Sequence, residues 1–413
     1  MLHLAVALLV LATPPAVTPA PAPAPATQPQ STAASTEATA ASTEATAPSP
    51  FQVDLIELGF DAASQIPVNP HERDRARVQE IAATTALSIG MKTRSMAFAN
   101  QIANWRKGVV YGDLAIDAAK GGRTEAVATF SRLARTAIAN AQQWQSDRVL
   151  SKLAQAQVWL GQETEAIELE KKFGEAEKGK VAAVMAARPG VDFDAALLEA
   201  DRAVATGNFE LTANALAICA QLAERKDTDE ARWSRIMELN ARAKGKVARE
   251  IHIRSYLGLA DARIARGEPA AALALVNAAK ALRDEVRWTP EAELPITADI
   301  ARRIAGAGDR AAGLAELEKG LASFVANQDG VADIFRAGAM CPAAETFAAL
   351  GERSRALEVY RLAVEAGALN PNARPRAEDL AQTTASLARA AIEPDAAMWK
   401  RLREIRAGLV EPW

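Results

Sequence analysis

Three histidines and two cysteines are all that this 413-residue chain offers as soft or readily titrating ligands. His3 belongs to an N-terminal apolar run, His71 follows Pro70 at an expected helix start, and His252 sits in Glu250-Ile-His-Ile-Arg254, expected on a helix surface or groove. None has the spacing to a cysteine or to another histidine that a zinc site needs. Cys219 reads as a small buried hydrophobic thiol, and Cys341 as a residue at the start of a helix. Asp192 with Asp194, and Asp227 with Asp229, have the proximity of an acid–base pair. Both pairs fall at expected helix starts, where carboxylates complement the helix dipole. No phosphate-binding loop, dinucleotide fingerprint or nucleophile elbow occurs. The expectation is therefore a chain without catalytic residues, metal or cofactor.

Cationic residues carry a different signal. Arg77, Arg148 and Arg254 each lie thirteen positions before a glycine, namely Gly90, Gly161 and Gly267. Lys152, Gln155, Asp261, Asp299 and Arg302 join them by helical spacing. Together these eight are candidates for one wall of a groove that binds a protein or peptide. The competing reading is a set of solvated first-turn side chains.

These positions need a repeating scaffold, and the glycines define one. Gly90, Gly121, Gly161, Gly207, Gly267, Gly308 and Gly351 are each followed, five residues on, by a small side chain: Ser95, Ala126, Ala166, Thr212, Ala272, Gly313 and Ala356. Seven residues before six of them stands alanine (83, 154, 200, 260, 301 and 344); Leu114 precedes Gly121. Internal repetition of this kind predicts stacked helical hairpins. Glycine ends the first helix in a left-handed conformation, and small residues mark where helices cross closely. The widest glycine interval, Gly207 to Gly267, predicts an extra or lengthened helix around residues 229–249. Distant repeats of such an array are not expected to touch, so a Cys219–Cys341 disulfide is not expected.

Leu160-Gly-Gln-Glu-Thr-Glu-Ala-Ile167 and Leu350-Gly-Glu-Arg-Ser-Arg-Ala-Leu-Glu-Val-Tyr-Arg-Leu-Ala363 resemble the tetratricopeptide repeat family. The resemblance extends loosely over residues 73–392. It implies an all-α solenoid of about seven or eight antiparallel helix pairs whose first helices line a concave groove. The family's carboxylate clamp is not implied, because Glu80, Tyr111, Ser151 and Leu257 stand where its lysine would be.

Composition sets the remaining bounds. A formal net charge of −3 gives no electrostatic footprint for nucleic acid. Leu4–Ala12 has the length of an export-signal core and is too short to span a bilayer. Ala24-Pro-Ala26 supplies a cleavage pattern. The expected organisation is a signal peptide over 1–26, an Ala/Ser/Thr/Glu/Pro linker over 27–50, and a solenoid with capping helices over 51–413. The mature chain has no expected transmembrane span and is periplasmic or secreted; an uncleaved N-terminus would anchor it to a membrane instead. The expected function is a protein-binding scaffold, in envelope assembly by analogy. An all-helical enzyme acting on envelope glycans and a spacer without a ligand are the alternatives. If the repeat register is right, Ala166→Leu or Ala356→Leu will destabilise the fold by about 1–3 kcal/mol in denaturant titration, as overpacking does; unchanged stability in both would refute the register.

Overall fold

The computed structural model describes residues 47–413. The Leu4–Ala12 run, the Ala24–Ala26 pattern and most of the linker lie outside the described residues. The described residues form 19 α-helices and no strand. In chain order they are α1 (Pro50–Gln65), α2 (Val68–Ser88), α3 (Lys92–Ala99), α4 (Arg106–Lys120), α5 (Thr124–Ala137), α6 (Gln143–Leu160), α7 (Glu163–Glu170), α8 (Glu175–Ala186), α9 (Phe193–Ala205) and α10 (Phe209–Glu224). Then follow α11 (Glu230–Arg242), α12 (Arg249–Ala265), α13 (Pro269–Asp284), α14 (Pro290–Gly306), α15 (Arg310–Asn327), α16 (Asp333–Ala349), α17 (Arg353–Ala368), α18 (Ala373–Arg389) and α19 (Ala396–Ala407).

Glycine places the turns. Gly90, Gly161, Gly207, Gly267, Gly308 and Gly351 have φ between 69° and 101°, where a side chain would be strained. Gly122, not Gly121, is the left-handed residue after α4. Counting back seven from Gly122 reaches the fully buried Ala115, which restores the alanine rule that Gly121 broke. The six alanines of that rule are fully buried, as are Ser95, Ala166, Thr212, Ala272 and Ala356 from the second offset. Side chains this small let paired helices approach closely, so the sequence pattern is a packing pattern.

The even-numbered helices pack each on the next from α2 to α18, and α18 packs on α2. The all-α, solenoid-like array therefore closes into a ring with nine helices in its inner layer. Odd-numbered helices pack on this layer and scarcely touch one another, as curvature requires of an outer layer. The inner helices run parallel across the closure: Arg77 pairs with Glu378, Arg374 with Asp74 at 2.7 Å, and Arg389 reaches Thr85 at 3.2 Å. Distant repeats do touch, contrary to the expectation from an open solenoid, because the superhelix returns on itself within one turn.

Helix α1 seals this junction. It lies antiparallel on α18, with Gln52 Nε2 donating to the Ala388 carbonyl at 2.7 Å. Leu55, Ile56, Phe60, Ala62 and Ala63 are buried. It is thus the outer companion of α18 and no cap on an open end. The sequence repeat itself continues from α18 to α19 through Ala391, whose φ is 51°, yet α1 holds the larger interface.

The array slips phase between α7 and α12. Gly207 joins an outer helix to an inner one (α9 to α10), as Gly245 does from α11 to α12, whereas the other turn glycines of the sequence pattern join inner to outer. The extra helix expected near residues 229–249 is α11. Helix α9 packs on α10 far more than on its neighbour α8, and a cleft of about 710 Å³ remains, lined by alanines together with charged side chains such as Glu170, Lys178 and Glu199.

A Cβ on Gly59 would stand 2.5 Å from Thr384 Oγ1 and 3.4 Å from the Ala381 Cα. Gly59→Leu is therefore expected to cost about 1–3 kcal/mol and to make α1 the first segment cut in limited proteolysis. Wild-type stability with an uncut α1 would show that closure does not depend on this contact.

Candidate functional site

All eight sequence-selected residues lie on inner helices: Arg77 on α2, Arg148, Lys152 and Gln155 on α6, Arg254 and Asp261 on α12, Asp299 and Arg302 on α14. Four of them, Arg77, Arg148, Lys152 and Asp261, pair with other helices, while Asp299, Arg302 and Arg254 pair within their own. Arg77 pairs with Glu378, and that hydrogen bond holds its pKa above the usual guanidinium value. Arg148 pairs with Glu80 at 2.7 Å and Lys152 with Asp113 at 2.5 Å. Asp261 and Asp299 share Arg303, at 2.7 Å and 3.0 Å, and Arg302 approaches Asp299 at 3.6 Å. Arg254 pairs only with Glu250, one turn away on the same helix, and stays exposed. The structure thus groups Asp261, Asp299 and Arg302, ties Arg77 to α18 and Arg148 to α2, and leaves Arg254 paired only within α12.

The clamp-lysine positions are spent on the scaffold too. Glu80 receives Arg106 and Arg148, Tyr111 donates to Asn100, Ser151 donates to Glu177, and Leu257 is buried. His252 is buried, not on a surface or groove: its Nε2 lies 3.0 Å from both the backbone and side-chain oxygens of Asn240, and burial pushes its pKa down. Cys341 lies in mid-α16 and not at a helix start, because that helix begins eight residues earlier at Asp333. Both cysteines are buried and free, and burial pushes each thiol up to about 12, so neither presents a thiolate. Asp192 and Asp229 cap α9 and α11.

The concavity that gathers the most chemistry sits at the ring closure. A cavity of about 710 Å³ is lined by residues of α2, α14, α16 and α18. Ile334 and Phe335, adjacent in the first turn of α16, are 54% and 51% exposed. Two large apolar side chains side by side in a concave surface mark a contact site. Around them stand Asp74, Arg77, Arg374, Glu378 and Gln382.

Backbone acceptors add to this set. Pro295 lies inside α14 and Pro342 inside α16. Neither can donate to the carbonyl four residues back, which belongs to Glu291 in one case and Gly338 in the other. Both residues line the cavity. Sequence reasoning missed this site, although a proline within each of two alanine-rich helical stretches was a readable sign of freed carbonyls.

Asp379 forms part of the cavity wall and is 4% exposed. Burial, with the neighbouring Glu378 charge, raises its pKa to about 8, against a 2.6 Å hydrogen bond from Asn370. It is a neutral carboxyl at neutral pH. No family model matches this chain, and no curated protein matches it.

Asp379 sets a pH dependence of known sign. The unfolded chain releases this proton near pH ~4 and the native chain near pH 8. Between those values the native state holds more protons, so this residue makes stability fall as pH rises. Asp379→Asn is expected to raise the melting temperature above pH 8, with the gain shrinking toward pH 4. A gain independent of pH would contradict this assignment.

Proposed function

We propose that the chain is an exported, non-enzymatic scaffold that holds a protein or peptide segment in the concave cavity at the ring closure, in the setting of cell-envelope assembly. One observation carries this reading: half-exposed Ile334 and Phe335 stand in a cavity rimmed by charged side chains, whose lining also includes Glu291 and Gly338, the residues four before Pro295 and Pro342. An apolar centre with a polar rim is the anatomy of a protein contact site. The freed carbonyls of Glu291 and Gly338 accept from backbone N–H groups, which any peptide provides. Export rests on the apolar run at Leu4–Ala12 and the Ala24–Ala26 pattern. The absence of a carboxylate clamp directs the reading toward an internal segment of a partner and away from its C-terminus.

The test is site-specific photo-crosslinking in the native host. A photoreactive residue at position 335 should give a discrete protein adduct, and one at exposed Leu198 on α9 should not. Phe335→Ser combined with Ile334→Ser should weaken binding of that partner at least about tenfold, equivalent to ~1.4 kcal/mol. A folded chain that gives no adduct from position 335, or undiminished binding by the double variant, would overturn the proposal.

A further inference from the structure

A second, smaller cavity lies on the other side of the first turn of α2. It measures about 240 Å³ and is lined by Arg73, Trp105, Arg106, Gln142, Trp144 and Gln145. That volume is below the ~300–1,000 Å³ of drug-sized sites and suits a single ring. From these groups we infer a binding site for an acidic sugar residue.

The two indoles are held in fixed roles. They meet edge to face, with centroids 5.2 Å apart and planes at 78°. Trp105 is buried, and its ring lies under two guanidinium groups, Arg106 at 5.0 Å and Arg148 at 5.8 Å. Trp144 is 52% exposed, and its Nε1 donates to Gln142 Oε1 at 2.8 Å. With its one polar group engaged, Trp144 offers a positioned π face.

The polar lining is one-sided. Glu80 is the carboxylate beneath the site, and it is bound by both Arg106 and Arg148. Two guanidinium groups against one carboxylate leave a positive balance, and Arg73 adds to it, exposed and without an ion pair among the described residues. Arg106 Nε is buried without an acceptor. Gln145 Oε1 is taken by the Gln142 backbone N–H at 2.9 Å, and Gln142 Oε1 by Trp144. What remains for a ligand is rich in donors, the guanidinium groups and two side-chain amide NH2 groups, against one remaining lone pair on each amide oxygen. A donor-rich, cationic lining beside a π face selects a ring that is rich in oxygen, anionic, and apolar on one face. A sugar ring bearing a carboxylate meets all three conditions. A simple anion makes no use of Trp144, and a neutral sugar makes none of Arg73. The site shares no lining residue with the Phe335 cavity, so the two assignments stand or fall separately.

The test is calorimetric titration of the full chain, with tryptophan fluorescence as a second readout. The probes are tetragalacturonate, N-acetylmuramic acid and neutral cellotetraose. Saturable binding of either acidic probe is expected, with cellotetraose about tenfold weaker or worse; the acidic probe that binds identifies the source as a uronate polymer or a cell-wall amino sugar. Trp144→Ala should weaken binding about tenfold, and Arg73→Gln about two- to fivefold with a shallower salt dependence. Both side chains are exposed, so the variants should melt as the wild type does. Equal affinity for acidic and neutral probes, no saturable binding of either acidic probe at millimolar concentration, or full affinity in Trp144→Ala would overturn the inference.

Discussion

The seating of α1 on α18 is the contact on which the rest of the molecule depends. An open solenoid has two end repeats whose apolar faces need separate polar caps. Here each end covers the other, and the inner faces of α2 and α18 meet. Loop-closure entropy does not forbid this. Closing a loop of ~300 residues costs only about 2 kcal/mol more than closing one of ~30, since the term grows as the logarithm of length. Burying Leu55, Ile56 and Phe60 offsets that several times over, at roughly 1.5–3 kcal/mol per large apolar side chain.

Closure changes what the inner charges do. In an open groove, a first-turn arginine faces solvent and is available to a ligand. In the ring, Arg77 spans α2 to α18, Arg148 reaches Glu80 on α2, and Lys152 spans α6 to α4. All three stay between a fifth and two-fifths exposed, and pairs this accessible are worth about 0–1 kcal/mol each. Their contribution is to register more than to stability. A parallel helix sliding by one turn would break several pairs at once, so the ladder selects one alignment among many of similar apolar burial.

The fold was largely legible in the sequence because its main determinant is local. A left-handed turn needs glycine, and close helix crossings need alanine, so the spacing recorded helices, turns and buried positions together. Two kinds of information were not local. Nothing in Gly59 or Thr384 alone reveals that they meet, since contacts between residues more than three hundred positions apart leave no periodic trace. The phase slip at Gly207 was also hidden: a turn from outer to inner helix uses the same glycine as a turn from inner to outer. Gly122 in place of Gly121 shows the limit of anchoring on a single residue in a Gly-Gly pair. The candidate site was harder to read. Ile334 and Phe335 look like core residues by type, and only the ring's curvature leaves them half-exposed. Trp105 and Trp144 are 39 positions apart, and only the side-by-side packing of α4 and α6 makes them one site.

Both concavities lie at the end of the ring where the inner helices begin. Arg73 lines one and Asp74 the other, so the N-terminal part of α2 contributes to both. This follows from parallel inner helices: their first turns gather at one rim, where the helical pattern does not dictate residue type. Farther along, alanines at fixed offsets pack the helices and leave little room for variation. Pro295 lies in the second turn of α14, near that rim, and Pro342 lies past the middle of α16. Each disrupts one backbone hydrogen bond, and the residue four back, Glu291 or Gly338, lines the cavity. A proline deeper in α14 would expose a carbonyl to a packed alanine, with no donor to meet it, at the cost of an unsatisfied buried acceptor. The rim gathers the side chains able to engage a ligand, because there the packing pattern leaves residue type free.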